Sequence, residues 1–361
     1  MQQYKVGIIG ATGMVGQRFI TLLSNHLWFS ISVLAASPNS AGKPYEQALG
    51  GRWTMPAPLP DAVKNMVVLD AADVSAVSSQ CDFVFCAVDM DKAETRALEE
   101  AYAKAETPVI SNNSACRMLA DVPMMVPEIN PTHVDVIAAQ RKRLGTNVGF
   151  IAAKSNCSIQ SYVPPLTPLL APFGVKRVLA CTYQAISGAG KNFTTWPEMV
   201  DNVIPFIGGE EQKSEEEPLK IWGTVENGVI VNAQSPVISS QCYRVPVTDG
   251  HLAAVYVDFE KKPTIEEILS IWDSWVPEPQ QLKLPSAPEK FLTYFGEEDR
   301  PQTRLDRDLY GGMGVSIGRL REDNIFDYKF ACLSHNTLRG AAGGGVLMAE
   351  YLCAKGFIPN K

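Results

Sequence analysis

One cysteine in this sequence stands where a thiol can act as a nucleophile. Cys157 lies in the segment Ser-Asn-Cys-Ser, between an apolar stretch that predicts a strand and a segment that predicts a helix. A thiol beside a helix N-terminus has a lowered pKa, because the helix end favours the thiolate. A thiolate can accept an acyl group as a thioester, so Cys157 is the candidate nucleophile.

Three other roles for Cys157 stay open: a small core residue, half of a disulfide, and a metal ligand. The cysteines show no Cys-x-x-Cys pair and no cysteine–histidine cluster with zinc spacing. The first residues show no charged leader followed by an apolar run, so we expect no signal peptide and a reducing, cytoplasmic location. We therefore predict neither a disulfide nor a metal site. The eight cysteines are Cys81, Cys86, Cys116, Cys157, Cys181, Cys242, Cys332 and Cys353.

Thioester chemistry also needs a group that handles protons, and the chain has four histidines. His251 follows the turn Thr248-Asp249-Gly250. If Asp249 and Gly250 form a two-residue hairpin turn, Arg244 lies on the same face as His251. A base beside an arginine that can bind a carboxylate would make one wall of a cleft. The alternative is an ordinary surface histidine.

A glycine-rich segment near the start predicts a nucleotide-binding turn. Gly10, Gly13 and Gly16 lie between a predicted strand at 4–10 and a predicted helix. Without side chains the backbone can approach a pyrophosphate, and the helix N-terminus supplies N–H donors. The alternative is a tight turn that binds nothing. The predicted cofactor residues of this segment are Gly10, Thr12, Gly13, Met14, Val15 and Gly16.

The end of the second predicted strand, 31–37, indicates which dinucleotide would bind. A site for NAD commonly has Asp or Glu there, which holds the ribose 2′-hydroxyl. Here Ser37, Ser40 and Lys43 follow instead. Hydroxyls and a lysine suit a 2′-phosphate, so we predict NADP rather than NAD. A plain turn built by the serines is the alternative.

Two halves with different patterning surround these motifs. Up to about residue 146, short apolar strands alternate with helices, which predicts a parallel sheet. Beyond it, the runs 175–187, 228–247 and 251–260 alternate apolar and polar residues, which is typical of antiparallel sheet. We predict an α/β fold: a Rossmann-like NADP-binding domain of residues 1–155 and 335–361, plus an α+β catalytic and dimerisation domain of residues 156–334 with a large, mostly antiparallel sheet.

Four segments carry more local expectations. Prolines should interrupt or end the helix at 158–174, and the charged run 210–220 predicts a solvated helix face. The segment 276–308, rich in proline and charge, predicts a loop. The final segment, 335–356, predicts a helix that packs back on the first domain.

Composition limits the partners. The chain has 361 residues, 46% of them hydrophobic, and a net charge of −7. An acidic chain lacks the basic face that nucleic acids and anionic membranes need. No apolar run approaches the roughly 20 residues that span a bilayer. We expect a small-molecule substrate, no nucleic acid and no membrane.

Taken together, these segments are similar to those of a known family. The chain resembles the aspartate-β-semialdehyde dehydrogenases, in particular their archaeal and fungal branch, over essentially its full length. The resemblance rests on seven segments in the family's order: GATGMVGQRF, SNNSACR, SNCSIQ, YQAISGAGK, DNVIPFIGGEEQK, CYRVPVTDGH and NTLRGAAGG.

The resemblance implies roles for the residues of the active site. Cys157 matches the nucleophile, His251 the acid/base residue, and Gln184 a residue that orients the acyl intermediate or the attacking group. Arg244 matches the arginine that binds the substrate α-carboxylate, a two-pronged contact that lysine cannot make. Glu210 matches the residue that receives the substrate amino group. The remaining matches are Lys213 and Arg117, with Asn156 beside them, around the phosphate, and Ser187, Gly188, Gly190 and Asn336 near the nicotinamide.

The resemblance also implies a reaction. NADPH would reduce L-β-aspartyl phosphate to L-aspartate 4-semialdehyde and phosphate through a thioester on Cys157, reversibly, in the biosynthesis of lysine, threonine and methionine. His251 would protonate in this direction and act as a base in reverse. The family forms homodimers or homotetramers. Malonyl-CoA reductase, N-acetyl-γ-glutamyl-phosphate reductase and a non-catalytic NADP-binding protein are the alternatives.

The sequence departs from the family near the nucleophile. The family often has Asn-Pro-Asn-Cys, whereas this chain has Ala153-Lys154-Ser155-Asn156-Cys157 and lacks the proline. Lys154 adds a positive charge three residues before the thiol. It would favour the thiolate or assist phosphate; a surface lysine is the alternative.

Overall fold

A computed structural model describes residues 3–360 of the chain, which form two large sheets. The first sheet has seven strands, all parallel, in the order β3-β2-β1-β4-β5-β7-β6. Its strands are β1 (Tyr4–Ile9), β2 (Phe29–Ala36), β3 (Leu69–Asp70), β4 (Phe83–Cys86), β5 (Val109–Ser111), β6 (Met124–Met125) and β7 (Ile151–Lys154).

The order of these strands reverses between β1 and β4, where the chain leaves one half of the sheet for the other. In parallel α/β sheets, ligands bind in the crevice outside the carboxyl ends of the strands at this reversal. The predicted parallel nucleotide-binding sheet is confirmed, and the glycine segment that follows β1 lies at the reversal.

The second sheet has six strands in the order β11-β8-β12-β15-β14-β13. Three neighbouring pairs are antiparallel, whereas β11 with β8 and β13 with β14 are parallel, so the sheet is mixed but mostly antiparallel. A separate hairpin joins β9 (Thr224–Glu226) to β10 (Val229–Val231). The six strands are β8 (Val175–Gln184), β11 (Val237–Arg244), β12 (His251–Phe259), β13 (Leu292–Phe295), β14 (Val315–Glu322) and β15 (Tyr328–Ser334).

The expected hairpin between Arg244 and His251 is wrong. β11 and β12 are not neighbours: β8 lies between them, parallel to β11 and antiparallel to β12. Both strands nevertheless meet the same end of β8, since Arg244 pairs with Gln184 and Leu252 pairs with Tyr183. The arginine and the histidine therefore reach one place from opposite sides of a third strand.

The helices connect and flank the two sheets. The longer ones are α1 (Met14–Leu23), α5 (Lys92–Lys104), α6 (Ile137–Leu144), α7 (Val163–Phe173), α8 (Glu210–Ile221), α9 (Ile265–Ser274) and α13 (Gly343–Ala354). The short ones are α2 (Tyr45–Leu49), α3 (Asp61–Lys64), α4 (Val74–Ser78), α10 (Glu278–Gln281), α11 (Thr303–Asp306) and α12 (Leu309–Gly312).

Two local expectations are wrong. The helix α7 runs without interruption, although Pro168 and Pro172 lie inside it and the proline ring removes an N–H donor; burial of its apolar residues in the core of the second sheet stabilises it. The segment 276–308 is not a plain loop, since Leu292–Phe295 forms the edge strand β13 of that sheet.

Each sheet has its own apolar core. Residues of α13 pack in the core of the first sheet, against Val6, Phe19 and Phe85. The predicted return of the last helix to the first sheet agrees with this packing, and the domain boundaries themselves stay predictions. Within residues 3–360 the structure has no helix with the length and apolar character needed to cross a bilayer.

Candidate active site

The nucleophile turn follows directly from β7. Cys157 is the N-cap of a single 3₁₀ turn, Ser158–Gln160. The Oδ1 of Asn156 accepts hydrogen bonds from the Ser158 N–H and from the Ser158 hydroxyl, both at 2.7 Å, which closes the turn without a proline. A Cβ on Gly340 would lie 2.8 Å from the Cys157 Cβ, so a glycine is needed opposite the nucleophile.

The thiol faces an imidazole whose orientation is fixed. The Cys157 Sγ lies 3.4 Å from Nε2 of His251, which is fully buried. On the other side of the ring, Nδ1 accepts a hydrogen bond from the Ala185 N–H at 3.0 Å. Because Nδ1 accepts, the neutral ring carries its proton on Nε2 and directs it at the sulfur.

The pKa values of this pair differ from the sequence-based expectation. Burial raises the pKa of the Cys157 thiol to about 11, with the nearby Glu210 carboxylate adding to the effect, although Lys154, Arg117 and Arg244 oppose it. The expected lowered pKa is therefore wrong for the unliganded protein. The physical reason is that the surrounding fold desolvates the thiol. Only a single 3₁₀ turn follows Cys157, and α7 begins at Val163, so no long helix end offsets this effect. Burial lowers the pKa of His251 to about 3, and Arg244 acts in the same direction.

Three of the predicted substrate residues and the predicted catalytic residue Gln184 form one polar network. The Glu210 carboxylate, at the start of α8, accepts hydrogen bonds from Lys213 Nζ at 2.8 Å and from Asn156 Nδ2 at 3.1 Å. Gln184 Nε2 lies 3.4 Å from the same carboxylate. The structure thus brings together the residues that the sequence assigned to the ammonium and the phosphate of one substrate.

Arg244 lies beside Gly188 and the Ala185 carbonyl. Its guanidinium donates to the Ala185 carbonyl at 2.7 Å, and only 5% of the residue is exposed. A Cβ on Gly188 would lie 2.8 Å from Arg244 Nη1 and 3.1 Å from His251 Nε2. The absent side chain at Gly188 therefore keeps the space above the arginine and the histidine free.

The charged helix α8 is not a solvated face, which corrects the expectation for 210–220. Glu210, Ser214, Glu217 and Lys220 are buried along one side of it. Lys220 donates to three carbonyls between residues 117 and 122, at 2.5–2.9 Å. Polar side chains reach the interior here because backbone groups and opposite charges meet them.

Lys154 is buried, with 2% of the residue exposed, so a surface lysine is excluded. Its ammonium donates to the Ser155 carbonyl at 2.7 Å, and burial lowers its pKa to about 7. Arg117 lowers this pKa further, whereas Cys157 raises it, which couples the lysine electrostatically to the thiol.

The glycine segment fits a dinucleotide. Gly10 has φ +84°, and a Cβ there would lie 2.3 Å from the Ala87 carbonyl oxygen; a Cβ on Gly16 would lie 2.3 Å from the Gly10 carbonyl oxygen. Gly13 meets only one atom, at 3.5 Å, and begins α1 without a side-chain cap. Two glycines therefore serve packing, while the third leaves the helix end accessible to a phosphate.

The residues assigned to the 2′-phosphate follow β2 but differ in exposure. Ser37 and Lys43 are exposed, whereas Ser40 is buried, with 6% of the residue exposed. The Ala35 carbonyl accepts hydrogen bonds from both Gly10 and Ala11, which holds this loop beside the glycine turn. Ser37 and Lys43 can meet a 2′-phosphate from solvent, and the buried Ser40 is less accessible to it.

At the other end of the site, Asn336 links two loops. Its Nδ2 donates to Ser187 Oγ at 2.8 Å, and its Oδ1 accepts from the Gly250 N–H at 2.8 Å. One asparagine thus fixes the loop before His251 and the loop that contains Ser187 to Gly190. Both ends of its side-chain amide make hydrogen bonds to these loops. The sequence did not show these contacts.

A cleft of about 670 Å³ joins these parts. His251, Gln184 and Arg244 are buried behind its wall. Its predicted lining residues are Gly13, Met14, Val15, Arg117, Asn156, Cys157, Ser187, Gly188, Gly190, Glu210, Lys213 and Asn336. The cleft is also lined by four residues that were not predicted: Arg18, Asn112, Asn113 and Ser114. The last three lie in the segment SNNSACR.

A parallel nucleotide-binding sheet joined to a thiol–imidazole pair is the arrangement expected of a dehydrogenase. Two family models match the chain: "Semialdehyde dehydrogenase, NAD binding domain" over residues 5–137 and "Semialdehyde dehydrogenase, dimerisation domain" over residues 166–339. The chain belongs to the semialdehyde dehydrogenase family.

Within this family, the chain is similar to proteins named aspartate-semialdehyde dehydrogenase. Aspartate-semialdehyde dehydrogenase of Methanothermobacter thermautotrophicus is 44% identical over 96% of this chain and 98% of that protein. The Schizosaccharomyces pombe protein of the same name is 44% identical over 98% and 99% of the two chains. A crystal structure of aspartate-semialdehyde dehydrogenase with NADP from Candida albicans superposes with a TM-score of 0.88 at 39% identity, covering 99% of this chain and 100% of that one.

Proposed function

We propose that this chain catalyses the reversible, NADP-dependent conversion of L-β-aspartyl phosphate to L-aspartate 4-semialdehyde and phosphate. The observation that carries the proposal is the 3.4 Å contact between the Cys157 sulfur and His251 Nε2, at a cleft that the glycine turn also lines. The names of the similar proteins agree with this reaction.

The first step belongs to Cys157. Its thiolate attacks the acyl carbon of the substrate, a carbon–sulfur bond forms, and the bond from that carbon to the phosphate oxygen breaks, so phosphate leaves with the electron pair. Arg117 and Lys213 supply positive charge beside the leaving phosphate, and Arg244 binds the α-carboxylate in two-pronged fashion.

The glycine turn, Ser187 and Gly188 would hold NADPH, which would supply the hydride that reduces the thioester carbonyl. The resulting oxyanion collapses, the carbon–sulfur bond breaks, and the aldehyde leaves while the thiolate is restored. No proton need be transferred from His251 in this step. Its Nε2–H stabilises the negative charge on oxygen or sulfur as a hydrogen-bond donor. The geometry thus supports a donor role in both directions, rather than the base expected for the reverse reaction.

Substrate itself activates the thiol in this proposal. Glu210 helps raise the pKa of Cys157 in the unliganded protein. When the substrate ammonium pairs with Glu210, the carboxylate charge is neutralised and its effect on the thiol is removed. The thiolate is therefore favoured more strongly when the correct amino acid is bound, and the proton that the thiol releases leaves with the departing phosphate.

A steady-state assay tests the function. Wild-type protein should reduce NADP when given aspartate semialdehyde with inorganic phosphate, and Cys157→Ala should abolish this reaction while NADP still binds. Malonate semialdehyde with CoA and NADP is the comparison. Faster turnover with the CoA mixture would overturn the proposal and favour a malonyl-CoA reductase.

We also propose a homodimer or homotetramer that uses the open face of the second sheet. Half-exposed side chains alternate with buried ones along β8 and β12, and the matching family model is called a dimerisation domain. The half-exposed residues are Leu179, Cys181, Tyr183, Leu252, Ala254 and Tyr256. Light scattering should give a mass of two or four chains, and Tyr256→Glu should lower it.

A cytoplasmic location completes the proposal. Within residues 3–360 the structure shows no disulfide among the eight cysteines, which suits a reducing compartment. Cell fractionation should recover the protein with soluble cytoplasmic markers.

A further inference from the structure

A buried carboxylate on α8 has no part in the mechanism above. Glu217 lies seven residues, about two turns, after Glu210, so both side chains lie on the same side of the helix. Only 3% of Glu217 is exposed. A carboxylate this deeply buried is costly unless charges or hydrogen-bond donors surround it.

Its two oxygens hold two different loops. Oε1 accepts a hydrogen bond from Arg117 Nη1 at 3.0 Å, and Oε2 accepts one from the backbone N–H of Asn156 at 2.5 Å. Arg117 lies in the loop after β5, and Asn156 immediately precedes the nucleophile, Cys157. One side chain therefore fixes a cation of the cleft relative to the nucleophile turn.

Arg117 keeps donors free for a ligand. Its Nη2 donates to the Asn112 carbonyl at 3.1 Å, while its Nε is buried and without a hydrogen-bond partner among residues 3–360. The residue lines the cleft, with 8% of it exposed. Glu217 and Asn112 thus determine the orientation of the guanidinium, and each Nη nitrogen keeps a second N–H that a phosphate oxygen in the cleft can accept.

We propose that Glu217 is a positioning residue for phosphate: it orients Arg117 toward the substrate phosphate and fixes the Asn156 backbone, so that Cys157 and the phosphate site stay in register. This inference rests on the proposed function. Glu217 acts through Arg117 and Asn156 and touches neither the substrate nor the cofactor.

The test substitutes Glu217→Gln and measures the oxidation of aspartate semialdehyde with varied inorganic phosphate. The amide retains one acceptor oxygen but places an N–H₂ group against the other donor, and it removes the charge beside Arg117. The KM for phosphate should rise about tenfold, the change expected when one charge-assisted hydrogen bond to a buried group is lost. The KM for NADP should stay within about twofold of wild type, a change of under about half a kcal/mol.

Glu216→Gln is the matched control. Glu216 precedes Glu217 on α8 and is exposed, and its side chain accepts a hydrogen bond from Gln212 on the same helix. The charge change is the same, so an effect of net charge alone would raise the KM for phosphate in both variants. The inference expects Glu216→Gln to resemble wild type.

A double-mutant cycle separates positioning from a general structural role. In an Arg117→Lys background, Glu217→Gln should raise the KM for phosphate by much less than it does in wild type, because the arginine through which it acts is gone. Equal effects in both backgrounds would overturn the inference, and so would an unchanged KM for phosphate in Glu217→Gln.

Misfolding of Glu217→Gln and absence of wild-type activity are two further outcomes, and each has its own interpretation. If Glu217→Gln does not fold, Glu217→Asp, which keeps the charge but shortens the reach, is judged by the same rise in the KM for phosphate. If wild-type protein shows no phosphate-dependent oxidation of aspartate semialdehyde, the proposed function fails. Failure of the Glu217 inference alone leaves that wild-type activity intact.

Discussion

Opposing charges surround the sulfur of Cys157. Glu210 disfavours the thiolate, whereas Lys154, Arg117 and Arg244 favour it, and burial raises the pKa to about 11. A nucleophile that stays protonated until its substrate arrives resists alkylation and oxidation, since the thiolate is the reactive form. A substrate ammonium paired with Glu210 would offset the effect of that carboxylate on the thiol.

Removing the Glu210 charge should make the thiol more acidic. In Glu210→Gln, the pH profile of alkylation by iodoacetamide should shift to lower pH than in wild type, because the carboxylate no longer raises the thiol pKa. Glu216→Gln, exposed on the same helix, should leave the profile unchanged. An identical profile in Glu210→Gln and wild type would contradict the electrostatic role of Glu210.

The fixed tautomer of His251 leads to a second expectation. His251→Ala should lower kcat by about 10²–10³, the cost of removing one donor from a developing charge. Because burial lowers the pKa of His251 to about 3, the ring stays neutral from pH 5 to 9. The wild-type pH–rate profile should therefore show no acid limb near pH 6.5. A limb there that disappears in His251→Ala would restore the base role.

Cys157, His251 and Arg244 could be found from residue types and order, whereas the roles of Glu210, Lys213 and Arg117 came from the resemblance to the family, with which charge complementarity to an amino-acid acyl phosphate agrees. The sequence does not show which of these side chains contact one another. Lys154 resembles a surface lysine in its local sequence, and only the surrounding fold buries it. The thiol pKa was mispredicted for the same reason, since desolvation is a property of the assembled neighbours.

At the scale of elements, the turn between β1 and α1 distinguishes two kinds of glycine. Gly16→Ala places a Cβ 2.3 Å from the Gly10 carbonyl oxygen, so it should destabilise the protein by about 1–3 kcal/mol, as overpacking does. Gly13→Ala places its Cβ at an ordinary van der Waals distance, 3.5 Å from the Gly10 carbonyl oxygen, so it should lower the free energy of unfolding much less, while weakening NADP binding. Urea denaturation and fluorescence titration with NADPH measure the two effects. Equal loss of stability in both variants would contradict the assignment.

The element that sequence described least well is α8. A run such as EEQKSEEEPLK predicts a solvated surface. Nothing in its local pattern shows that Lys220 donates to three loop carbonyls or that Glu217 pairs with Arg117. The alternating pattern of β11 and β12 correctly predicted that both segments are strands. It did not show which strands they pair with. An intervening partner such as β8, distant in sequence, cannot be read from a short turn.

At the scale of the whole molecule, a buried ion pair joins distant parts of the chain. Arg339 lies 2.7 Å from Glu128, with both side chains almost fully buried, and its guanidinium also donates to the Met313 carbonyl. The loop after β6, the segment before β14 and the turn before α13 thus meet at one arginine.

Breaking this pair should cost more than any surface pair. Glu128→Ala leaves the Arg339 charge buried and uncompensated, so it should lower the free energy of unfolding by about 3–5 kcal/mol. Glu322→Ala, which removes the partner of the exposed Lys262, should not change stability measurably. Urea denaturation compares the two, and a loss for Glu128→Ala no larger than that of Glu322→Ala would refute the expectation.

The packing of α13 against the first sheet has a consequence for biosynthesis. A ribosome makes β1 before Gly343–Ala354, yet these segments share one apolar core. Until α13 has been made, the apolar residues of the early strands are not fully buried, and chaperones can bind them. A nascent chain arrested before residue 343 should be digested by protease throughout the first sheet, whereas the finished chain resists.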